Sequence, residues 1–246
     1  ANASLSPRND DEQNFPTIRF SGGYGKRIGS EYLGYLTELG ADLDAFRYGS
    51  WVLVLSADTE HYSKAQGNAL FPRYIHFSFG GEIEYFFSEN YYTTLSYERV
   101  VRCDGNAYRG SDERYQVLGI HFATRGMRRG EENYADAITD DGFISRLEYQ
   151  LFAGWYPQTE GWGYDAEYRA ALRFDVTRWG LCVLYTETDG KLYYGDHKDY
   201  CWGLEGGVRM SFGLTLMLYC RYERMTDINR YAGAAERSAI IGFRVS

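Results

Sequence analysis

Apolar and polar side chains alternate along the chain in segments of about ten residues, the signature of strands with one apolar face. Between 72 and 87, Ile75, Phe77, Phe79, Ile83 and Tyr85 share one face, and Tyr74, His76, Ser78, Glu82 and Glu84 the other. Over 143–157, Leu147, Tyr149, Leu151, Ala153 and Trp155 oppose Arg146, Glu148, Gln150 and Phe152. Over 162–175, Tyr164, Ala166, Tyr168, Ala170, Leu172 and Phe174 alternate with Asp165, Glu167, Arg169, Ala171 and Arg173. In 199–211, Trp202, Leu204 and Val208 oppose Cys201, Glu205 and Arg209, and in 213–225, Leu214, Leu216, Leu218 and Tyr222 oppose Thr215, Tyr219, Arg221 and Glu223. The pattern predicts about twelve strands, over 16–27, 40–48, 50–60, 72–87, 91–101, 114–124, 143–157, 162–175, 179–188, 199–211, 213–225 and 237–246.

The connections alternate in length. Those near 28–39, 61–71, 102–113, 189–198 and 226–236 read as long and polar, and those near 49, 88–90, 176–178 and 212 as tight turns. Two break the rule: the link 125–142 is long where a turn is due, and 157–161 is short where a loop is due. Soluble strands average roughly 5–6 residues, whereas a tilted membrane strand needs about 9–11. Most segments here reach the second length, which favours a transmembrane antiparallel up-and-down β-barrel of about twelve strands over a soluble barrel or sandwich with its apolar face inward.

Composition agrees once periodicity is known. Mean hydropathy is −0.47 with no apolar run long enough for a spanning helix, as expected when an apolar outer face is averaged with a polar lumen. Aromatics make up 17% of the chain, and Tyr91, Tyr92, Trp155, Tyr156, Trp162, Tyr164, Trp179, Tyr200 and Trp202 lie near segment ends, where interfacial girdles belong. A net charge of −8 without a Lys/Arg run excludes nucleic acid as a partner. The first residues, Ala1-Asn2-Ala3-Ser4-Leu5-Ser6, hold no basic region followed by an apolar stretch. A processed export product is the expectation, with residues 1–15 a periplasmic segment and 16–246 a single barrel domain.

On alternation, girdles, loop asymmetry and the final strand Ser238-Ala239-Ile240-Ile241-Gly242-Phe243-Arg244-Val245-Ser246, the chain resembles a bacterial outer-membrane β-barrel. It departs from the family habit of ending on an aromatic residue, since Phe243 lies three residues inside. The resemblance implies an outer-membrane location with lipid as the surrounding partner. Its expected activity is passage or binding of a small hydrophilic solute in a porin-like, narrow polar lumen lined by Glu82, Glu84, Glu98, Arg146, Glu148, Glu167, Arg169, Arg173, Arg209, Arg221 and Arg244. Twelve strands enclose more space than the eight that side chains just fill, and less than a sixteen-strand porin.

Two alternatives stand beside that reading. His76 and Ser78 form a His-x-Ser pair similar to the dyad of outer-membrane lipid A deacylases and phospholipases, with Glu98 or Glu82 as orienting acid. Parity turns the pair toward the lumen, away from lipid, so these residues count first as lumen groups. The other alternative is a non-conducting structural or anchoring barrel, closed by paired charges such as Glu148 with Arg169. No cofactor or metal is expected: neither Cys-x-x-Cys nor His-x-x-x-His occurs, and the acidic groups Asp58, Glu60, Asp104, Asp112, Asp189 and Asp196 read as solvated loop charge. Cys182 and Cys201, on neighbouring strands, form a candidate disulfide. The link 125–142, with Arg125, Arg128 and Arg129 beside several acidic residues, reads as a cap or a turn and as the expected contact for a periplasmic or membrane protein partner.

Overall fold

The computed structural model describes residues 16–29, 33–64, 72–104, 113–129, 147–160, 163–196, 198–226 and 236–246. Twelve strands follow in order: β1 (Thr17–Ile28), β2 (Leu33–Tyr48), β3 (Trp51–Lys64), β4 (Pro72–Phe86), β5 (Tyr91–Asp104), β6 (Glu113–Thr124), β7 (Leu147–Glu160), β8 (Tyr164–Trp179), β9 (Cys182–Gly195), β10 (Lys198–Ser211), β11 (Thr215–Met225) and β12 (Glu236–Val245). Each pairs antiparallel with its sequence neighbours, and β1 closes on β12 from Gly22↔Val245 to Ile28↔Ala239. Over that stretch closure pairs the backbone groups of the two edge strands, as crossing a bilayer with strands requires.

Parity decides what each face meets. Outward positions form an apolar belt that includes Phe20, Leu39, Leu55, Phe79, Leu95, Ile120, Leu151, Leu172, Leu204 and Ile241, all exposed. Inward positions are charged, and Glu167, Glu205 and Arg209 are each only 1% exposed. A soluble barrel would reverse this arrangement, because an apolar belt of this extent in water is strongly unfavourable. Aromatic pairs ring the tight-turn end, with Trp51 on Tyr85 at 4.6 Å and Phe87 between Tyr91 and Phe122. Trp202–Tyr222 and Tyr24–Tyr35 lie toward the loop end. Tyr92, Tyr156 and Tyr164, expected in girdles, are instead buried on the inward face; Tyr92 and Tyr156 sit one residue out of phase with the outward set, and Tyr164 is turned inward by the register shift between Tyr164 and Ala166.

The strands run further than periodicity predicts. Residues 33–39 and 189–195, expected as loops, are strand, because polar residues such as Glu38, Asp189 and Lys191 line a wet lumen without ending the ladder. The Cys182–Cys201 disulfide is not formed, and both thiols are free. The register opposes Cys182 to Met210 and Cys201 to Lys191, so the two cysteines stand about 30 Å apart along the hairpin at ~3.3 Å per residue, far beyond disulfide reach. Cys182 also belongs to the outward parity, next to buried Val183, whereas Cys201 points inward. Residues 1–15, Arg146 and the link beyond Arg129 lie outside the described residues.

Candidate functional site: a divided lumen

Inward side chains fill much of the barrel with ion pairs. Under β8–β10 at the turn end, Arg209 donates to Asp175 at 2.9 Å, and Arg173 reaches Glu187 at 2.8 Å. Nearer mid-height, Glu205 accepts from the Tyr185 hydroxyl at 2.7 Å and from Arg244 at 3.0 Å. Arg221 pairs with Asp189 and with Glu223 at 2.7 Å, and Glu223 also meets Arg27 at 2.8 Å. Across β5–β9, Val100, Tyr115, Val117, Phe152, Tyr156, Tyr164 and Tyr193 form one apolar cluster inside the lumen. The Glu148–Arg169 pair is absent: Arg169 binds Glu167 and lies over the Phe152 ring at 4.6 Å.

The lumen includes two cavities lined by described residues. One, of about 250 Å³, is bounded by Asp42, Asp58, Glu82, Glu84, Thr94, Glu98, His121, Arg128 and Arg129 toward the turn end. The other, of about 580 Å³, opens toward the loops past Glu38, Glu60, His76, Ser78, Lys191 and Arg244. Asp58, Glu98, Arg129 and Arg169 line both, so these four form the neck between them.

The link after β6 supplies Arg129 to this neck and Arg128 to the turn-end cavity. The Thr124 hydroxyl accepts from the Tyr149 amide at 2.9 Å, and the Arg125 amide donates to Asn90 at 2.8 Å. One 3₁₀ turn at Arg125–Met127 then reverses the chain, closed by the Arg128 amide on the Arg125 carbonyl at 3.0 Å. Gly126 makes the approach feasible, because a Cβ there would meet the Glu148 carboxylate at 2.6–2.8 Å. The turn aims Arg128 into the lumen, 4% exposed. It donates to both Glu84 oxygens at 2.7–3.0 Å and to Asp44 at 2.9 Å, in the forked geometry that arginine offers carboxylates. Arg129 pairs with Asp42 at 2.9 Å and with Asp58. Residues 125–129, the described part of the link expected as a partner contact, engage the barrel's own wall.

Of the predicted lining residues, Glu82, Glu84, Glu98 and Arg169 border the turn-end cavity, and Glu167, Arg221 and Arg244 border the loop-end one. Glu148, Arg173 and Arg209 are buried beside these spaces and border neither. His76 contacts Glu60 through Nδ1 at 3.3 Å, a partner other than Glu98 or Glu82. No hydrogen bond joins His76 to Ser78 among the described residues. Asp42, Asp44, Asp58, Glu60, Arg128, Arg129 and Lys191 were not foreseen as lining. For Asp58 and Glu60 the signal was present, since both continue the inward parity of Val52 and Val54 in β3.

No family model matches this chain, and no curated protein matches it significantly in sequence. Solved structures do match the fold. The KdgM porin in complex with disordered oligogalacturonate aligns over 94% of this chain and 99% of its own, at 9% identity and a TM-score of 0.53. The NanC porin covers 91% and 98% at 10% identity and 0.51, and LpxR from Salmonella typhimurium 93% and 99% at 6% identity and 0.52. The chain has the bacterial outer-membrane β-barrel fold. At such identities the likeness is one of architecture, and the lumen chemistry of this outer-membrane barrel must be read from its own residues.

Proposed function

We propose that this barrel sits in the bacterial outer membrane and passes or holds a small hydrophilic solute in its lumen. The observation that carries the reading is the pair of charged cavities meeting at a neck of Asp58, Glu98, Arg129 and Arg169. Charges of both signs on a confining wall select solutes by charge and size. The oligogalacturonate bound by the KdgM porin, a barrel of the same architecture, supports solute binding as a use of this fold. A hydrolase at His76 and Ser78 is less well supported, because a nucleophile needs its base within hydrogen-bond reach. In planar bilayers, the folded and heat-modifiable protein is expected to give small single-channel currents. Complete absence of current and of solute flux into liposomes would remove the passage reading.

A further inference from the structure

The turn-end cavity carries more acidic than basic side chains on its wall. Asp42 and Asp44 on β2, Asp58 on β3, and Glu82 and Glu84 on β4 converge there, with Glu98 on β5 at the neck. The strands bring few cations to the same wall. Arg19 of β1 reaches Asp44 at 2.6 Å and Asp42 at 3.7 Å, and Arg169 is engaged by Glu167. Arg47 of β2 comes within 4.0 Å of Asp44, and Arg128 and Arg129 of the link supply further counter-charge. Even so, Glu82 and Glu98 have no ion-pair or hydrogen-bond partner among the described residues.

A second observation concerns a neutral group. Thr94 of β5 is 2% exposed and borders the same cavity, and its hydroxyl is buried without a hydrogen-bond partner. Buried hydroxyls are ordinarily satisfied, and an orphan on a cavity wall that also carries Glu82 and Glu98 leaves its lone pairs available to a donor. Thr94 stands opposite Glu84 in the β4–β5 ladder, within the arc that Arg128 occupies.

We propose that the turn-end cavity is a binding site for a small organic cation bearing an ammonium or guanidinium group. Glu82, Glu98 and the Thr94 hydroxyl receive it, and Arg128 acts as a tethered occupant of the neighbouring carboxylates. The proposal rests on the solute-binding reading and supplies its chemical class. The guanidinium of Arg128, forked on Glu84 and Asp44, shows how the wall holds such a group. A cavity of about 250 Å³ fits a solute of a few heavy atoms, not an extended oligomer.

Equilibrium binding to the detergent-folded protein tests the site without relying on current. The probes are agmatine, which carries a guanidinium and an ammonium, and galacturonate as an anion of comparable size. Agmatine is expected to bind in preference to galacturonate. Glu82→Gln is expected to weaken agmatine about tenfold, the loss of one hydrogen bond to a charged group. That substitution breaks no existing ion pair, so folding is preserved, and heat-modifiable mobility checks it. Arg128→Ala, by freeing Glu84 and Asp44, is expected to tighten agmatine binding. Preference for galacturonate, or agmatine binding indifferent to both substitutions, overturns the proposal. Agmatine binding with these sensitivities in a protein that conducts nothing would leave the site standing and remove passage alone. Galacturonate bound in preference to agmatine by a protein that conducts would do the reverse.

Discussion

Replacing Arg128 with Ala tests whether the link closes the lumen. In the folded barrel the Arg128 guanidinium meets Glu84 at 2.7 Å and Asp44 at 2.9 Å, among side chains less than a tenth exposed. Removing one partner of a buried ion pair costs about 3–5 kcal/mol when the other charge stays dry. Here the carboxylates gain lumen water once the link leaves, so the lower figure for hydrogen bonds to charged groups, about 2 kcal/mol, applies. At 1.4 kcal/mol per factor of ten, the ratio of closed to open link falls by about 30-fold. Single-channel recording of Arg128→Ala should show larger or longer openings than the parent. Glu84→Gln should do the same, and the double variant should add little, giving a coupling of about 2 kcal/mol in a double-mutant cycle on the gating equilibrium. Arg129→Ala should act more weakly, because its pairs with Asp42 and Asp58 lie in a wetter place. Unchanged currents in Arg128→Ala, or strictly additive effects of the two substitutions, would show that the clamp does not hold the lumen shut.

Four further outcomes follow. Leu204→Arg places a charge on the exposed mid-strand face of β10 and should destabilise the barrel by about 2–4 kcal/mol in urea unfolding into lipid vesicles; a neutral result would contradict a lipid-facing belt. Gly126→Val drives a side chain into the Glu148 carboxylate and should displace the link, raising conductance while the folded, heat-modifiable form persists. Ser78→Ala should leave conductance intact, and the parent should release no fatty acid from phospholipid or lipid A; ester release lost in Ser78→Ala would install the hydrolase reading instead. Cys182 and Cys201 should both react with maleimide after unfolding without reductant, and recovery of only the other two thiols would revive their disulfide.

The number and order of strands were legible because a bilayer and a wet lumen impose opposite chemistry on alternate residues, as Phe77 and Phe79 against His76 and Ser78 show in β4. Strand ends were less legible. Glu38 in β2 and Lys191 in β9 resemble loop residues in any local window, and only closure shows that they stay in the ladder. Register across a hairpin depends on where the turn falls, and placing the β9–β10 connection at 189–198 instead of 196–197 brought Cys182 and Cys201 together wrongly. The site was legible in part. Glu82, Glu84 and Glu98 declare themselves by parity, but their counter-charges Arg128 and Arg129 lie in a link without periodicity. Nothing in local sequence says that a segment after β6 turns back inside.

The side of the barrel that is packed explains why this link matters. Under β8–β10 at the turn end, Asp175, Arg173, Tyr185 and Arg209 border neither cavity, and their pairing leaves that half of the cross-section occupied. The turn-end cavity therefore lies against β2–β5, the wall with the surplus carboxylates. On the proposed reading, a solute leaving by the turn end runs along that wall, past Glu98, Glu82 and Glu84 in turn, where Arg128 stands. Twelve strands enclose more than side chains fill; here ion pairs under β8–β10 occupy part of that space, and a segment held by Arg128 and Arg129 borders another part. A permanent plug would be more stable if apolar, since a buried ion pair gains little over a hydrophobic replacement. A charged hold gives something that an apolar one does not: on the proposed reading, a cation bound at Glu82 and Glu98 lies beside the carboxylates that hold Arg128, which couples occupancy of the site to release of the link.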